Sequence, residues 1–186
     1  IIFFKQPHHR ACIRTMSCDN FFTIKLNIYK KSLISLYEFT SEEIFRIFCH
    51  KIMKASLIII GNEILSGRTQ DKNLSYLANW LNEIGIQLIE VRVIRDEEDV
   101  IVETVNHLRN TYDYVFTTGG IGPTHDDITS ESIAKAFSVD LEINQGALSI
   151  LKEYYKDGEL TEARMKMTKM PVGSELIENP VSRAPG

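Results

Sequence analysis

The pattern of apolar and polar positions from residue 55 onward predicts a regular succession of strands and helices. Residues 56–60 are a serine followed by four apolar residues, a run that is typical of a strand buried within a parallel sheet. Apolar residues recur at helical spacing over residues 74–84, and Gly85 stands where a glycine often ends a helix. Residues 86–94 alternate in part and predict a second strand.

The same alternation of strands and helices continues to the C-terminal part of the chain. Further helices are predicted at 100–108, 133–137, 145–156 and 160–169, and further strands at 114–117 and 174–177. Strands that alternate with helices form a parallel sheet that is covered on both faces. We therefore predict an α/β fold with three layers, α/β/α, around a mostly parallel sheet.

Residues 1–52 differ in composition from the rest of the chain. They contain no glycine, and their eight Lys/Arg against four Asp/Glu give a charge of +4, whereas residues 53–186 carry −8. A short helix is predicted at 41–49. We expect Met53 to be the natural start and residues 1–52 to be an extension without its own function. A mitochondrial-type presequence is the alternative, although the many aromatic residues suit it poorly.

Charge, hydropathy and cysteine content exclude several classes of partner. The acidic main part, residues 53–186, argues against duplex nucleic acid, because phosphate neutralisation needs clustered Lys and Arg. The sequence has no apolar run of the ~18 residues that a membrane helix needs. Cys12, Cys18 and Cys49 form neither a disulfide framework nor a zinc pattern. A reducing, cytoplasmic location is therefore predicted.

The most informative segment is residues 117–129, which we call the glycine–carboxylate loop. After an apolar run it contains three glycines, then Asp126 and Asp127, and then Thr129 at the predicted start of a helix. Glycines allow close approach of the backbone to a ligand, and free N–H groups at a helix start favour phosphate. Paired carboxylates can hold a divalent cation. The alternative is a tight connection whose acidic residues only complement the helix dipole.

Polar residues also follow the two preceding strands. Glu63, Asp71 and Asn73 come after the first strand, and Asp96 comes after the second. Because the carboxyl ends of parallel strands meet at one edge of a sheet, these side chains are expected to approach the glycine–carboxylate loop. Their carboxylates would repel one another without a cation, which favours a metal site. The alternative roles of Asn73 and Asp96 are helix N-caps.

Several motifs spread over residues 54–186 resemble the molybdopterin-binding domain of competence/damage-inducible protein A (CinA)-like proteins. The same domain forms the amino-terminal half of eukaryotic FAD synthases. One position departs from the family, because Asn62 stands where an acidic residue is usual. The matching motifs are Gly61-Asn62-Glu63-Ile64-Leu65-x-Gly67, Asp71-x-Asn73, Gly-Gly-Ile-Gly-Pro-Thr-x-Asp-Asp-Ile-Thr at 119–129, Arg164-Met165, Met170-Pro171-x-Gly173, Asn179-Pro180-Val181 and Ala184-Pro185-Gly186.

The resemblance implies a three-layer α/β/α domain that forms a homo-oligomer, a trimer or a dimer. It implies catalytic roles for Asp96 and Asp127, which match the two aspartates of magnesium-dependent molybdopterin adenylyltransferases. It also implies hydrolysis of dinucleotide pyrophosphates, ADP-ribose in the CinA-like branch and FAD in the FAD synthase branch. Relatives continue beyond the position of Gly186, so we expect the domain to be incomplete at its C-terminal end.

We therefore predict that residues 53–186 bind a phosphorylated pterin or nucleotide together with Mg²⁺ or a similar divalent metal. The activity is either metal-dependent pyrophosphatase or adenylyl transfer, and the alternative is a non-catalytic binding module. The predicted metal ligands are Glu63, Asp71 and Asp126. The predicted ligand and phosphate contacts are Asn73, Thr118, Gly119, Gly120, Gly122, Pro123, Thr124 and Thr129.

Overall fold

A six-stranded sheet with helices on both faces forms the centre of the fold. The computed structural model describes residues 2–5, 13–15, 52–155 and 160–177. The strands are β1 (Ile2–Lys5), β2 (Ile13–Thr15), β3 (Met53–Ile60), β4 (Ile86–Ile94), β5 (Tyr114–Thr118), β6 (Leu141–Ile143), β7 (Lys169–Pro171) and β8 (Ser174–Glu175). The helices are α1 (Asn62–Leu65), α2 (Asn73–Glu83), α3 (Glu98–Thr111), α4 (Thr129–Phe137), α5 (Gln145–Tyr154) and α6 (Glu162–Lys166).

Three parallel strands define the sheet and position the candidate site. β3 lies between β4 and β5 and pairs in parallel with both, and α2 and α3 connect these strands along the chain. The full order is β4-β3-β5-β1-β2-β8, in which β1 is antiparallel to both β5 and β2, and β2 is parallel to β8. β6 and β7 form a separate antiparallel pair. The predicted α/β fold with a mostly parallel sheet is confirmed.

Two apolar cores lie on opposite faces of β3 because its successive side chains point to opposite sides. Ile58 and Ile60 pack with residues of α3 and α4 on one face. Leu57 and Ile59 pack with α2 on the other face. Burial on both faces explains the continuous apolar run in the sequence. Each fully buried Ile or Leu contributes roughly 1.5–3 kcal/mol of transfer free energy, so these cores hold the strand ends rigidly.

Most elements predicted from periodicity are present, with shifted bounds. α2 ends before Gly85, whose φ of 77° is the left-handed conformation expected of a glycine after a helix. α1, β6 and β7 were not predicted, because segments of three or four residues are too short to show a period. The helix predicted at 160–169 ends at Lys166. Lys169, the last residue of the predicted helix, is instead the first residue of β7. In the described part of the chain, no helix is long and apolar enough to cross a membrane.

The N-terminal segment contributes two strands to the sheet. β1 pairs with β5 from Ile2 opposite Thr117 to Lys5 opposite Tyr114. The helix predicted at 41–49 and the three cysteines lie outside the described residues. The proposed division of the chain at Met53 stays a prediction. Because β1 pairs with β5, removal of residues 1–52 would uncover one edge of β5.

Candidate functional site

The carboxyl ends of β3, β4 and β5 bring the three polar loops to one edge of the sheet, as predicted. The Gly61 N–H donates to the Ile94 carbonyl at 3.1 Å, which joins the ends of β3 and β4. The end of β5 lies against that of β3, because a Cβ atom on Gly119 would lie 1.9 Å from the Ile60 carbonyl oxygen. The candidate site therefore has a rigid floor made of three strand ends.

Gly119 and Gly120 are required by packing at this floor. Their φ angles of 96° and 63° lie in the left-handed region, which disfavours side chains. A Cβ atom on Gly120 would also lie 2.2 Å from the Thr129 hydroxyl oxygen. Backbone conformation and packing therefore explain why glycine occupies these two positions, without any ligand. This agrees with the alternative interpretation of the loop as a tight connection.

Thr129 positions the loop from inside the protein. α4 begins at Thr129 as predicted, but the residue is 0% exposed. Its N–H donates to the Gly120 carbonyl at 3.0 Å and its hydroxyl donates to the Gly119 carbonyl at 2.9 Å. Thr129 therefore supports the loop, and its contact with a ligand stays a prediction.

Asp127 and Thr124 bond to each other and so close the turn formed by residues 124–127. Asp127 Oδ2 accepts hydrogen bonds from the Thr124 N–H, at 2.8 Å, and from the Thr124 hydroxyl. The Asp127 N–H donates back to the Thr124 carbonyl at 3.3 Å. Gly122 faces this carboxylate, because a Cβ atom on it would lie 2.6 Å from Asp127 Oδ2. Pro123 and Asp126 are exposed on the same turn.

Asp96 connects the β4 loop to the β3 loop. Its Oδ2 accepts a hydrogen bond from the Asn62 N–H at 2.7 Å. α3 begins at Glu98 and its N-cap residue is Glu97, so the alternative role of Asp96 as a helix cap is wrong. The bond uses the backbone of residue 62, which means that an asparagine there preserves the contact.

A cavity of about 310 Å³ opens between the ends of β3 and β5 and the start of α2; we call it the β3–α2 cavity. Five predicted site residues line it: Glu63, Asp71, Asn73, Thr118 and Gly119. Its other lining residues were not predicted from the sequence. The polar segment 69–73, which leads into α2, could have indicated some of them, because it follows a strand that ends at the same edge of the sheet. The missed residues are Ile59, Ile60, Ile64, Thr69, Gln70 and Lys72.

The Thr118 hydroxyl distinguishes this cavity from an ordinary surface cleft. Thr118 is the last residue of β5 and is only 4% exposed. Its hydroxyl oxygen has no hydrogen-bond partner among the described residues. An unsatisfied buried hydroxyl costs about 1–3 kcal/mol of stability.

Asp71 supports α2. Its Oδ1 accepts a hydrogen bond from the Leu74 N–H at 2.7 Å, and its Oδ2 accepts one from the Asn73 side-chain amide at 3.4 Å. The N-cap residue of α2 is Lys72, and the capping bond comes from Asp71. The alternative role of Asn73 as the cap is therefore wrong.

The predicted three-carboxylate metal site is not formed. Within residues 52–155 and 160–177, no group of three or more His, Cys, Asp or Glu side chains is arranged to hold a metal ion. Glu63 and Asp71 line the β3–α2 cavity, whereas Asp126 lies on the exposed turn of the glycine–carboxylate loop. The sequence placed these residues at one sheet edge correctly, but the loops carry their carboxylates to separate parts of it.

Comparisons with known proteins agree with this architecture. Residues 56–186 match the family described as "Probable molybdopterin binding domain". A protein from Caldivirga maquilingensis is 43% identical over 136 residues, which cover 72% of this chain and 53% of that protein. A CinA-like protein from a Sulfurihydrogenibium species is 41% identical over 136 residues, 72% of this chain and 34% of that protein.

A solved structure is also similar. The crystal structure of the protein CinA with unknown function from Thermoplasma acidophilum has a TM-score of 0.68 and 41% sequence identity, and the match covers 72% of this chain and 79% of that one. The chain spans about half the length of most of the curated relatives that it matches.

Proposed function

The chain belongs to the molybdopterin-binding domain family, in its CinA-like branch, and from this premise we propose that it binds a phosphorylated pterin or nucleotide at the shared edge of β3, β4 and β5. The single observation that carries the proposal is the β3–α2 cavity, which five of the predicted site residues line. One of them, Thr118, also has a buried hydroxyl without a partner among the described residues, and such a group in a native protein calls for an explanation.

The ring system of the ligand is assigned to the β3–α2 cavity. Its volume of about 310 Å³ lies at the lower end of the range of small-molecule sites, ~300–1,000 Å³. Ile59, Ile60 and Ile64 provide apolar surface, and Thr118 and Glu63 provide polar groups for ring nitrogens. A flat heterocycle with polar edges matches this combination of lining groups.

The phosphate is assigned to the glycine–carboxylate loop, which adjoins the cavity at Gly119. Gly120, Gly122, Pro123 and Thr124 lead from there to the N-terminus of α4, where the helix dipole favours an anion. Lys72 lines the cavity and adds a positive charge. A ligand with a ring next to a phosphate can therefore use both parts of the site.

A divalent metal fits this site only with help from the ligand. Magnesium is usually held by one or two carboxylates together with phosphate oxygens and water. Either Glu63, in the cavity, or Asp126, on the exposed turn, is a better candidate than Asp71, because both oxygens of Asp71 accept hydrogen bonds at the start of α2. The bound ion would neutralise phosphate charge and polarise a phosphoryl oxygen.

The proposed reaction is hydrolysis of a dinucleotide pyrophosphate of the ADP-ribose or FAD type, with Asp96 and Asp127 at the reacting group. A specific observation favours the alternative of a non-catalytic binding module. Both carboxylates accept backbone N–H bonds, Asp96 from Asn62 at 2.7 Å and Asp127 from Thr124 at 2.8 Å. These bonds connect each carboxylate to the backbone of a loop, which gives both residues a structural role that a non-catalytic binding module would also need. Adenylyl transfer to molybdopterin uses the same residues and is a further alternative.

A thermal-shift screen tests the proposal. Molybdopterin, ADP-ribose, FAD and ATP are compared with and without Mg²⁺, because a ligand that binds the folded state raises the melting temperature by mass action. We expect a pterin or ADP-ribose to give the largest rise, and Thr118→Val to reduce it. Absence of a shift with every compound would contradict the proposal. The homo-oligomer, trimer or dimer, and the cytoplasmic location remain predictions.

A further inference from the structure

Lys166 reaches the glycine–carboxylate loop from a distant part of the chain. It is the last residue of α6, and its ammonium donates a hydrogen bond to the Thr124 carbonyl at 3.2 Å, across 42 positions of sequence. Its side chain is 24% exposed, so most of it is packed against the protein. The ammonium lies 3.9 Å from the nearer Glu131 carboxylate oxygen. The shorter contact, to the carbonyl, is therefore the main one.

The Thr124 carbonyl is the first acceptor of the 124–127 turn. It accepts from both Lys166 Nζ and the Asp127 N–H, while the Thr124 N–H and hydroxyl both donate to Asp127 Oδ2. A change in the position of Thr124 must therefore move the Asp127 carboxylate. Lys166 is connected to a predicted catalytic side chain through a single intervening residue.

α6 is itself held in place, so its lysine is not a freely moving surface charge. The Thr161 hydroxyl caps the helix by accepting from the Arg164 N–H at 3.4 Å. The Thr168 hydroxyl, just after the helix, donates to the Met165 carbonyl at 2.7 Å. β7 follows and pairs with β6 from Leu141 opposite Pro171. Lys166 therefore reaches the loop from a helix that is hydrogen-bonded at both ends and is followed by a paired strand.

The charges around Lys166 give its ammonium a second effect. Asp126, Asp127 and Glu131 lie on the turn and on the first turn of α4, and His125 is the neighbouring titratable group. Phosphate that approaches three carboxylates is repelled unless cations offset them. An ammonium fixed at the Thr124 carbonyl lowers that repulsion where the ligand phosphate is proposed to bind.

We propose that Lys166 is a positioning residue of the site, which holds the 124–127 turn and offsets its negative charge. The effect on ligand affinity rests on the proposed function, whereas the effect on the turn does not. A merely structural role would be that of an exposed ion pair with Glu131, and such pairs contribute ~0–1 kcal/mol.

The first experiment uses the ligand-free protein. Amide hydrogen exchange of residues 121–128 is measured by NMR in the full chain, in Lys166→Met and in the control Lys169→Met. Lys169 is an exposed lysine of β7. We expect exchange of the Asp127 N–H to become about 5-fold or more faster in Lys166→Met only. Equal rates in all three proteins would overturn the holding role, whatever ligand the protein binds.

The second experiment measures the affinity for ADP-ribose with Mg²⁺ by isothermal titration calorimetry. We expect Lys166→Met to weaken binding about 10-fold. Lys166→Arg should restore most of the affinity, because a guanidinium also donates to a carbonyl and keeps the charge. Unchanged affinity in Lys166→Met would overturn the charge role. Failure of the unsubstituted protein to bind ADP-ribose would count against the proposed nucleotide ligand, and the exchange rates would still decide the role of Lys166.

Discussion

The glycine–carboxylate loop and the β3–α2 cavity share one edge of the sheet, but their polar groups are satisfied in different ways. In the loop, Thr124, Asp127 and Thr129 bond to one another or to the loop backbone. In the cavity, the buried Thr118 hydroxyl has no partner among the described residues. The loop has the richer motif, but Thr124, Asp127 and Thr129 already have partners in the loop itself. The cavity provides space that the motif does not, and the ring of the ligand is proposed to bind there.

The largest expected effect concerns the structural role of the loop. Gly119→Ala should lower the free energy of unfolding by about 3 kcal/mol. The new Cβ atom would overlap the Ile60 carbonyl, and the backbone at this position has a left-handed φ that alanine disfavours. Gly67→Ala is the matched control. Its φ is also positive, at 72°, but no atom lies within 4 Å of the added Cβ, so about 1 kcal/mol is expected. Urea denaturation measures both, and equal losses would show that the close contact is unimportant.

The second prediction compares two buried threonines directly. Thr118→Val should leave the free protein as stable as before or more stable by roughly 1 kcal/mol, because it removes an unsatisfied hydroxyl. Thr129→Val should lower stability by about 1–2 kcal/mol, because the Gly119 carbonyl loses its donor. Thermal melts and urea denaturation give both values. Changes of the same sign would mean that the Thr118 hydroxyl is satisfied in the free protein.

The third prediction separates two roles of Asp71 at the wall of the cavity. Asp71→Ala should cost about 1 kcal/mol, because the Leu74 N–H at the start of α2 loses its acceptor. Asp71→Asn should retain most of that stability, since asparagine caps helices equally well. If Asp71→Asn keeps its melting temperature but loses metal-dependent ligand binding, Asp71 is a metal ligand after all, and the support of α2 is not its main role.

The smallest effect on stability is expected for Asp127→Asn. An amide oxygen can still accept from Thr124, and the lost complement to the helix dipole is worth ~0.3–1 kcal/mol. Metal-dependent activity on ADP-ribose, or metal-dependent binding of it, should nevertheless disappear, because the carboxylate that is proposed to act together with the metal is lost. Asp140→Asn, at an exposed position before β6, serves as the control for charge. If Asp127→Asn retains in full both the metal-dependent activity on ADP-ribose and the metal-dependent binding of it, Asp127 has only a structural role in the loop.

The sequence by itself determined the layers and the edge of the sheet where the site lies. A strand that is buried on both faces is mostly apolar along its length, and an amphipathic helix repeats every 3.6 residues, so both are visible in the local sequence. The positive φ of Gly85 and the start of α4 at Thr129 were predictable for the same reason. The resemblance to a family then added expected roles for individual residues at that edge.

Only the tertiary structure decided which polar groups are already bonded. Asp96 bonds to a backbone group 34 residues away, and Lys166 bonds to one 42 residues away. Such partners are chosen by how loops pack on the ends of the strands, and no periodic pattern records them. The same packing left the Thr118 hydroxyl without a partner among the residues that the structure describes, and it placed Asp126 away from the cavity. A hydrogen bond depends on distance and direction in space, so a sequence can supply its donors and acceptors but cannot pair them.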